Sequence, residues 1–146
     1  NFDLTTVFPI HPRTRKSLKQ LGLMKKLRNS RKLKLIKPVS YHKILKLIKE
    51  ARLVLTDSGG VQKEAFWLRT PCLTLRDATE WVETVELGAN KLVPVDKERI
   101  VKEAELLVSS ENMKNKVSNL PNPFGDGKAS RRILGILQNW DRRSPA

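Results

Sequence analysis

The stretch that most constrains the fold is an apolar run followed by a glycine turn and then by helical spacing. Residues 53–68 read LVLTDSGGVQKEAFWL. Leu53–Leu55 is typical of a buried parallel strand, and the small residues 56–60 are typical of a turn. Beyond the turn, Val61, Ala65 and Leu68 fall on one helical face. The polar residues Gln62, Lys63 and Arg69 fall outside that apolar face. The stretch therefore predicts a strand, a tight turn and a helix.

Such a turn can bind an anion. The first turn of a helix has backbone N–H groups without intrahelical partners, and the helix dipole is positive there. Gly59 and Gly60 leave room for a ligand, Ser58 adds a hydroxyl donor, and a phosphate suits these groups. Glu64, one turn further on, could accept hydrogen bonds from a ribose. The alternative is a βα connection whose glycines only permit the turn, and spacing alone leaves both interpretations open.

Composition bounds the class of protein. The 146 residues are 39% hydrophobic and 30% charged, which is typical of one globular domain with a real core. No run approaches a membrane-spanning length, and residues 1–3 do not resemble a signal peptide. The first residue is not Met, so we expect a fragment. The single cysteine, Cys72, lies in an apolar run and indicates a core thiol in a reducing compartment, consistent with a cytoplasmic location.

The charge is strongly basic. Lys and Arg number 29 against 15 Asp and Glu, which gives a net charge of +14 and favours anionic partners. Basic residues concentrate between Arg13 and Lys49, but Tyr41 is the only aromatic residue there, so no platform for stacking bases is present. Solvated helix faces explain this stretch better than a nucleic-acid groove. A basic nucleic-acid-binding fragment remains the non-enzyme alternative.

Strand and helix patterns alternate along the chain. Strands are predicted at Leu4–Phe8, Leu33–Ile36, Leu53–Leu55, Cys72–Leu75 and Lys91–Val93. Helices are predicted at Arg13–Leu21, Leu23–Asn29, Tyr41–Ala51, 60–68, 79–88, Lys97–Val108, Met113–Leu120 and Ala129–Trp140, with Ser40, Thr79 and Asp96 as N-caps. This order predicts an α/β domain over 1–140, a Rossmann-like, open and mostly parallel sheet flanked by helices, followed by a flexible tail at 141–146. The loops after three strands would bring His11, Ser58 and Arg76 to one sheet edge.

Three segments together resemble a known family. They are TDSGGVQKEA at 56–65, RDATE at 76–80 and NPFGDG at 122–127. In this order and spacing they are similar to the non-hydrolysing UDP-N-acetylglucosamine 2-epimerases, over nearly the whole chain. The family fold resembles the two-domain (GT-B) glycosyltransferases, so the resemblance implies that this chain is most of the C-terminal, nucleotide-binding domain. It also implies that the first strand and helix of that domain, and the N-terminal domain, are missing.

The resemblance implies roles for individual residues. Ser58, Gly59 and Gly60 would hold the diphosphate, and Glu64 would bind the ribose hydroxyls. The remaining implied site residues are Ile44 beside the uracil, with the backbone near Pro38 close by, Arg76 in the cleft, and His11 as the active-site histidine. No metal or redox cofactor is implied. The implied partners are a UDP-sugar, the missing domain and, by family tendency, a second copy in a homodimer.

The implied reaction inverts carbon 2 of UDP-GlcNAc by elimination of UDP and re-addition, giving UDP-ManNAc. Because the family's proposed acid and base lie in the N-terminal domain, we expect this polypeptide alone to show no turnover. Many members have Arg-Pro where this chain has Trp81-Val82. The EWVE form at 80–83 resembles that of related epimerases, including those acting on UDP-diacetamido uronic acids, so such a sugar is an alternative substrate. A glycosyltransferase donor-binding domain, disfavoured by the second and third segments, and a degenerate, inactive fragment are further alternatives.

Overall fold

In the computed structural model, residues 4–141 are described, except for the side chain of residue 141. Over that range, five short strands alternate with eight helices. The strands are β1 (Thr6–Pro9), β2 (Leu33–Ile36), β3 (Val54–Thr56), β4 (Cys72–Thr74) and β5 (Asn90–Leu92). The helices are α1 (Pro12–Gln20), α2 (Met24–Arg28), α3 (Tyr41–Glu50), α4 (Gly59–Trp67), α5 (Val82–Glu86), α6 (Lys97–Ser109), α7 (Met113–Ser118) and α8 (Ala129–Asp141). The predicted α/β class is confirmed.

The strands form two parallel groups. β1 pairs with β2, so that Thr6 lies opposite Leu33. β4 lies between β3 and β5, with Cys72 opposite both Val54 and Asn90. Within the described residues these groups are separate sheets of two and three strands, whereas the sequence predicted one sheet. The alternation of strands and helices was sufficient to predict parallel pairing, but it could not show that β1 and β3 lack a direct hydrogen-bonded pairing.

Two apolar clusters build the core around α4. Ile48, Ala65 and Cys72 form one cluster, and the predicted apolar face of α4 packs into it through Val61 and Leu68. The other cluster contains Phe66, Ala89 and Val117. Because α4 is buried on two sides, its position relative to β4 and to the following loops is fixed by packing.

Two predictions about burial were wrong. Leu55 was expected inside a buried strand, but its side chain is 46% exposed. Side chains alternate between the two faces of a strand, and Val54, on the opposite face, is the one that packs against the core. Gln62 was placed among the polar positions off the buried face of α4, yet it is fully buried. It lies on the second buried side of the helix, where polar neighbours satisfy its carbonyl oxygen.

The capping predictions had mixed outcomes. Asp96 caps α6 as predicted, since its Oδ1 accepts from the Arg99 amide at 2.8 Å. Ser40 occupies the N-cap position of α3 without a side-chain capping bond. Thr79 is not the N-cap of α5; Trp81 takes that position, and the Thr79 hydroxyl accepts from the Trp81 amide at 3.1 Å. Of the helices in the described part of the chain, none has the length and apolarity needed to cross a membrane.

Candidate functional site

The N-terminus of α4 is the centre of the candidate site. β3 ends at Thr56, and Ser58 follows as the N-cap of α4 in an extended conformation. The Ser58 amide donates to Thr56 Oγ1 at 3.0 Å, which shapes the turn. The Ser58 side chain makes no capping bond to the helix. Its hydroxyl is therefore not committed to the first turn of α4, whose amides lack intrahelical partners.

The two glycines at this N-terminus have different surroundings. A Cβ atom built on Gly59 would overlap the Glu80 carboxylate, so this glycine allows the loop after β4 to approach closely. A Cβ atom built on Gly60 would meet only the Ser58 hydroxyl, at 3.9 Å. Open space at Gly60 is what an incoming anion requires. The structure thus gives Gly59 a packing function that the sequence interpretation did not include.

The loop after β4 carries Arg76 to the same place. The Arg76 guanidinium donates to the Glu80 carboxylate at 3.0 Å, and both side chains are partly exposed. The pKa of Glu80 is lowered, chiefly by a hydrogen bond from its own backbone amide and further by the charge of Arg76. Glu80 is therefore a carboxylate that neutralises Arg76 beside Gly59. An arriving phosphate could accept hydrogen bonds from Arg76 in its place.

A buried polar network fixes this loop against α4. Gln62 Oε1 accepts from the Thr79 hydroxyl at 2.6 Å and from the Asn90 amide at 3.2 Å. The same Asn90 amide group reaches Thr84 Oγ1, and Asn90 Oδ1 accepts from Thr74 Oγ1 at 2.7 Å. The network joins α4, β4, β5 and the loop between them. Sequence reasoning missed it, because a polar residue in a helix gives no sign of burial unless its tertiary partners are known.

Glu64 and Ile44 lie on adjoining helices. The negative charge of Glu64 raises the pKa of the Tyr41 hydroxyl, with smaller effects from desolvation and from a hydrogen bond between the two groups. Tyr41 begins α3, and Ile44 lies about one turn further along the same helix, where it packs on the Ile48 cluster. The structure therefore brings together the residues expected near the ribose and the base. Tyr41 was not predicted as part of this site.

His11 belongs to the other strand group. It follows β1 and is the N-cap of α1, with Nδ1 accepting from the Arg13 amide at 3.3 Å. In the neutral ring this bond places the proton on Nε2, so that Nε2–H is the group available to a ligand. His11 lies at the carboxyl end of its strand, as predicted. Among residues 4–141, its strand group shares no ladder hydrogen bonds with the sheet that carries Ser58 and Arg76, so the structure does not join the three residues in one sheet edge.

The 122–127 segment folds as a compact turn on α4. The Asn122 side chain accepts from the Phe124 amide at 3.0 Å and donates to the Gly125 carbonyl at 2.9 Å. Phe124 packs edge-on against Phe66, Trp67 and Trp81 with ring centroids 5.5–6.2 Å apart. This motif therefore supports α4 and the loop after β4 from the outside, through its aromatic ring.

Comparison with known proteins identifies the class. The family model described as UDP-N-acetylglucosamine 2-epimerase matches residues 1–138. The chain belongs to this family. A UDP-N-acetylglucosamine 2-epimerase of Methanocaldococcus jannaschii is 51% identical over 136 residues, covering 93% of this chain and 36% of the relative. A UDP-2,3-diacetamido-2,3-dideoxy-D-glucuronate 2-epimerase of Pseudomonas aeruginosa is 44% identical over 131 residues, covering 90% of this chain and 34% of the relative.

The fold is shared with solved structures of the family. The Methanocaldococcus jannaschii enzyme in complex with UDP-GlcNAc and UDP matches with a TM-score of 0.80 at 49% identity, over 92% of this chain and 36% of that protein. The chain thus spans about a third of the length of these relatives. Family membership and the fold are established by these matches, and the predicted resemblance is confirmed.

Proposed function

We propose that this chain supplies the UDP-binding part of a UDP-sugar 2-epimerase, with UDP-GlcNAc as its substrate. The observation that carries the proposal is the open N-terminus of α4, where Gly60 faces free space and the Ser58 hydroxyl makes no capping bond. Helix amides and the helix dipole favour a diphosphate there. Family membership and the UDP complex of the relative support the same ligand.

The remaining site residues fit the other parts of the nucleotide. Glu64 would accept hydrogen bonds from the ribose hydroxyls, exchanging its contact with Tyr41 or sharing it. Ile44 and the backbone near Pro38 would border the uracil. Arg76 would move from Glu80 to a phosphate oxygen, and His11 would approach the diphosphate through its Nε2–H group. In this proposal the two strand groups lie side by side in the complete protein, which brings His11 to the same site as Ser58 and Arg76.

Chemically, these groups would stabilise UDP as it leaves. The proposed reaction breaks the bond between carbon 1 and the diphosphate oxygen while the proton on carbon 2 is removed, and UDP adds back after protonation from the other face. Negative charge grows on the diphosphate during the first step. Preorganised amides, the helix dipole and cationic side chains lower the free energy of that state. In this proposal the proton transfers depend on groups outside this chain.

We further propose that a strand from outside this chain lies between β1 and β3. Within the described residues, β1 pairs only with β2 and β3 pairs only with β4, while Val7, Phe8 and Leu55 are each at least 37% exposed. One parallel strand in that position would join both groups into one six-stranded sheet and cover their unpaired backbone groups. His11 would then share a sheet edge with Ser58 and Arg76.

The central experiment is a chimera. The matching third of the Methanocaldococcus jannaschii enzyme is replaced by this chain, and conversion of UDP-GlcNAc is followed by NMR in D₂O. We expect UDP-ManNAc to appear with deuterium at carbon 2, because the proton there is exchanged during the elimination. The chain alone should bind UDP but show no conversion. A chimera that folds and binds UDP without converting UDP-GlcNAc would contradict the proposal.

A variant of the binding site tests the proposed contacts with UDP. The double variant Ser58→Ala/Glu64→Ala should weaken UDP binding by at least tenfold, because it removes a donor and an acceptor worth roughly 1 kcal/mol each.

The alternative substrate, a UDP-diacetamido uronic acid, is favoured by the 44% identity to the Pseudomonas aeruginosa epimerase and by Trp81-Val82. Assaying the chimera with UDP-2,3-diacetamido-2,3-dideoxy-D-glucuronate tests it. Faster conversion of that sugar would replace UDP-GlcNAc as the assigned substrate.

A further inference from the structure

A side-chain hydrogen bond connects the loop after β4 to the first residue of α4. The Trp81 indole Nε1–H donates to the Gly59 carbonyl oxygen at 2.8 Å, across 22 positions of sequence. Trp81 is only partly buried, and it is also the N-cap residue of α5. The bond therefore joins the start of one helix to the start of another, directly beside the candidate anion site.

The indole ring is held in place by a cation and by other rings. Lys63 Nζ lies 4.0 Å from the centroid of the Trp81 ring, 4.5 Å from that of Phe124 and 5.1 Å from that of Trp67. A cation over an indole face attracts the electrons of the ring. The N–H group of that ring becomes a better donor as a result. Lys63 thus strengthens the bond from Trp81 to Gly59 as well as fixing the ring.

The consequence for the site follows from the planarity of the peptide bond. The Gly59 carbonyl and the Gly60 N–H belong to one peptide unit, and in the trans form they point in opposite directions. A bond that fixes the carbonyl of Gly59 therefore also fixes the direction of the Gly60 N–H. That N–H is among the amides of the first turn that have no partner within the helix. It is also the amide beside the open space at Gly60.

We propose that Trp81 is a positioning residue: its indole N–H holds the Gly59–Gly60 peptide so that the Gly60 amide is aimed at the diphosphate of the nucleotide. This inference rests on the proposed function, because it takes UDP as the ligand of the α4 N-terminus. Trp81 thus contributes to UDP binding indirectly, through the Gly59–Gly60 peptide. Lys63 acts one step further away, through the indole.

The test compares two matched variants of the full chain. Trp81→Phe keeps an aromatic ring beneath Lys63 and against Phe124 but removes the N–H donor. Trp67→Phe makes the same change in the other tryptophan that contacts Lys63 and Phe124. Trp67 is the last residue of α4, and in the described part of the chain its indole makes no hydrogen bond to the α4 backbone, unlike that of Trp81. UDP affinity is measured by calorimetry, the stability of each variant by urea unfolding, and the Gly60 amide is followed by ¹H–¹⁵N NMR.

We expect Trp81→Phe to weaken UDP binding about five- to tenfold and to shift the Gly60 amide resonance, while Trp67→Phe changes UDP affinity less than twofold. One misdirected hydrogen bond to a charged ligand corresponds to a change of this size. If both variants lose stability equally, a general packing effect predicts equal losses of affinity. Only a positioning effect predicts a loss confined to Trp81→Phe.

A second variant keeps the inference testable if Trp81→Phe fails to fold. Lys63→Met retains the side-chain stem but removes the charge, and it should move the Trp81 indole N–H resonance upfield and weaken UDP binding two- to threefold. Equal UDP affinity of wild type, Trp81→Phe and Lys63→Met would overturn this inference alone. A wild-type chain that does not bind UDP would overturn the proposed function as well, so that the two failures are distinguishable.

Discussion

The β1–β2 and β3–β5 groups both consist of parallel strands, but their side chains are buried to different extents. In β4 every residue is buried, and Leu73 and Thr74 are fully inaccessible. In β1, three of the four residues are exposed, including Val7 at 40% and Phe8 at 37%, and α1 has no buried residue. A central strand is covered by neighbours on both edges, whereas β1 has one neighbour in the described chain. The comparison shows that enclosure depends on the completeness of the sheet.

The same difference separates the parts of the candidate site. Ser58, Gly60 and Arg76 belong to the β3–β5 group, which is the more enclosed of the two and is called the enclosed group below. There, α4 and its buried network fix the backbone. His11 belongs to the less enclosed β1–β2 group, at the end of β1. The turn that we propose as the phosphate site therefore has its geometry already in this chain. The position of His11 relative to that turn depends on what joins the two strand groups.

The largest expected difference comes from removing a leucine from each strand group. Leu73→Ala should lower the free energy of unfolding by about 2–5 kcal/mol, because Leu73 is fully buried and its loss leaves a cavity. Leu35→Ala in β2, which is only partly buried, should cost about 1 kcal/mol. Urea unfolding measures both. Equal losses would show that the two groups are packed equally well and would remove the basis of the comparison.

The next effect concerns the buried network of the enclosed group. Asn90→Ala should cost about 2–3 kcal/mol, since it leaves Thr74 without its acceptor and withdraws a donor from Gln62 and Thr84. Asn115→Ala, an exposed position on α7, is the matched control and should change stability by less than about 0.5 kcal/mol. A neutral Asn90→Ala would mean that the network does not hold the loop after β4.

A pH-dependent effect of similar or smaller size should report on the enclosed group alone. Burial raises the pKa of the Cys72 thiol from 9.0 to about 11. The neutral thiol is favoured in the folded state, so its contribution is complete below pH 9 and is lost as the pH rises from 9 through 11. The full loss corresponds to roughly 2–3 kcal/mol.

Urea unfolding of wild type and Cys72→Ala as a function of pH isolates that contribution, because other titrating groups are common to both proteins. The difference in unfolding free energy between the two should narrow above pH 9. A difference that is constant from pH 8 to 11 would contradict the assigned environment of Cys72.

The smallest effect is expected from salt. Basic residues concentrate between Arg13 and Lys49, and their mutual repulsion is screened as ionic strength rises. Raising NaCl from 0.05 to 0.5 M should stabilise the β1–β2 group by up to about 1 kcal/mol and the β3–β5 group by less. Hydrogen exchange of the Leu35 and Leu73 amides measures the two separately. Greater protection of Leu73 than of Leu35 by salt would reverse the expected order.

The sequence by itself determined the local elements and the position of the turn before α4. Alternating apolar runs and helical spacing predicted the strands to within a few residues, and the glycines after β3 predicted the start of α4, because these signals depend on neighbouring residues alone. Asp96 could be identified as a cap for the same reason, since its partner is three positions away. The three motifs also indicated the family, which the comparisons confirm.

Only the tertiary structure decided which polar groups are buried and how the motifs support one another. The partners of Gln62 lie 17 and 28 positions away, and that of Trp81 lies 22 positions away, so no local pattern could reveal them. The separation of the sheet into two groups depends likewise on which strands are adjacent in space. Long-range pairing is set by packing free energy, which a single stretch of sequence does not contain.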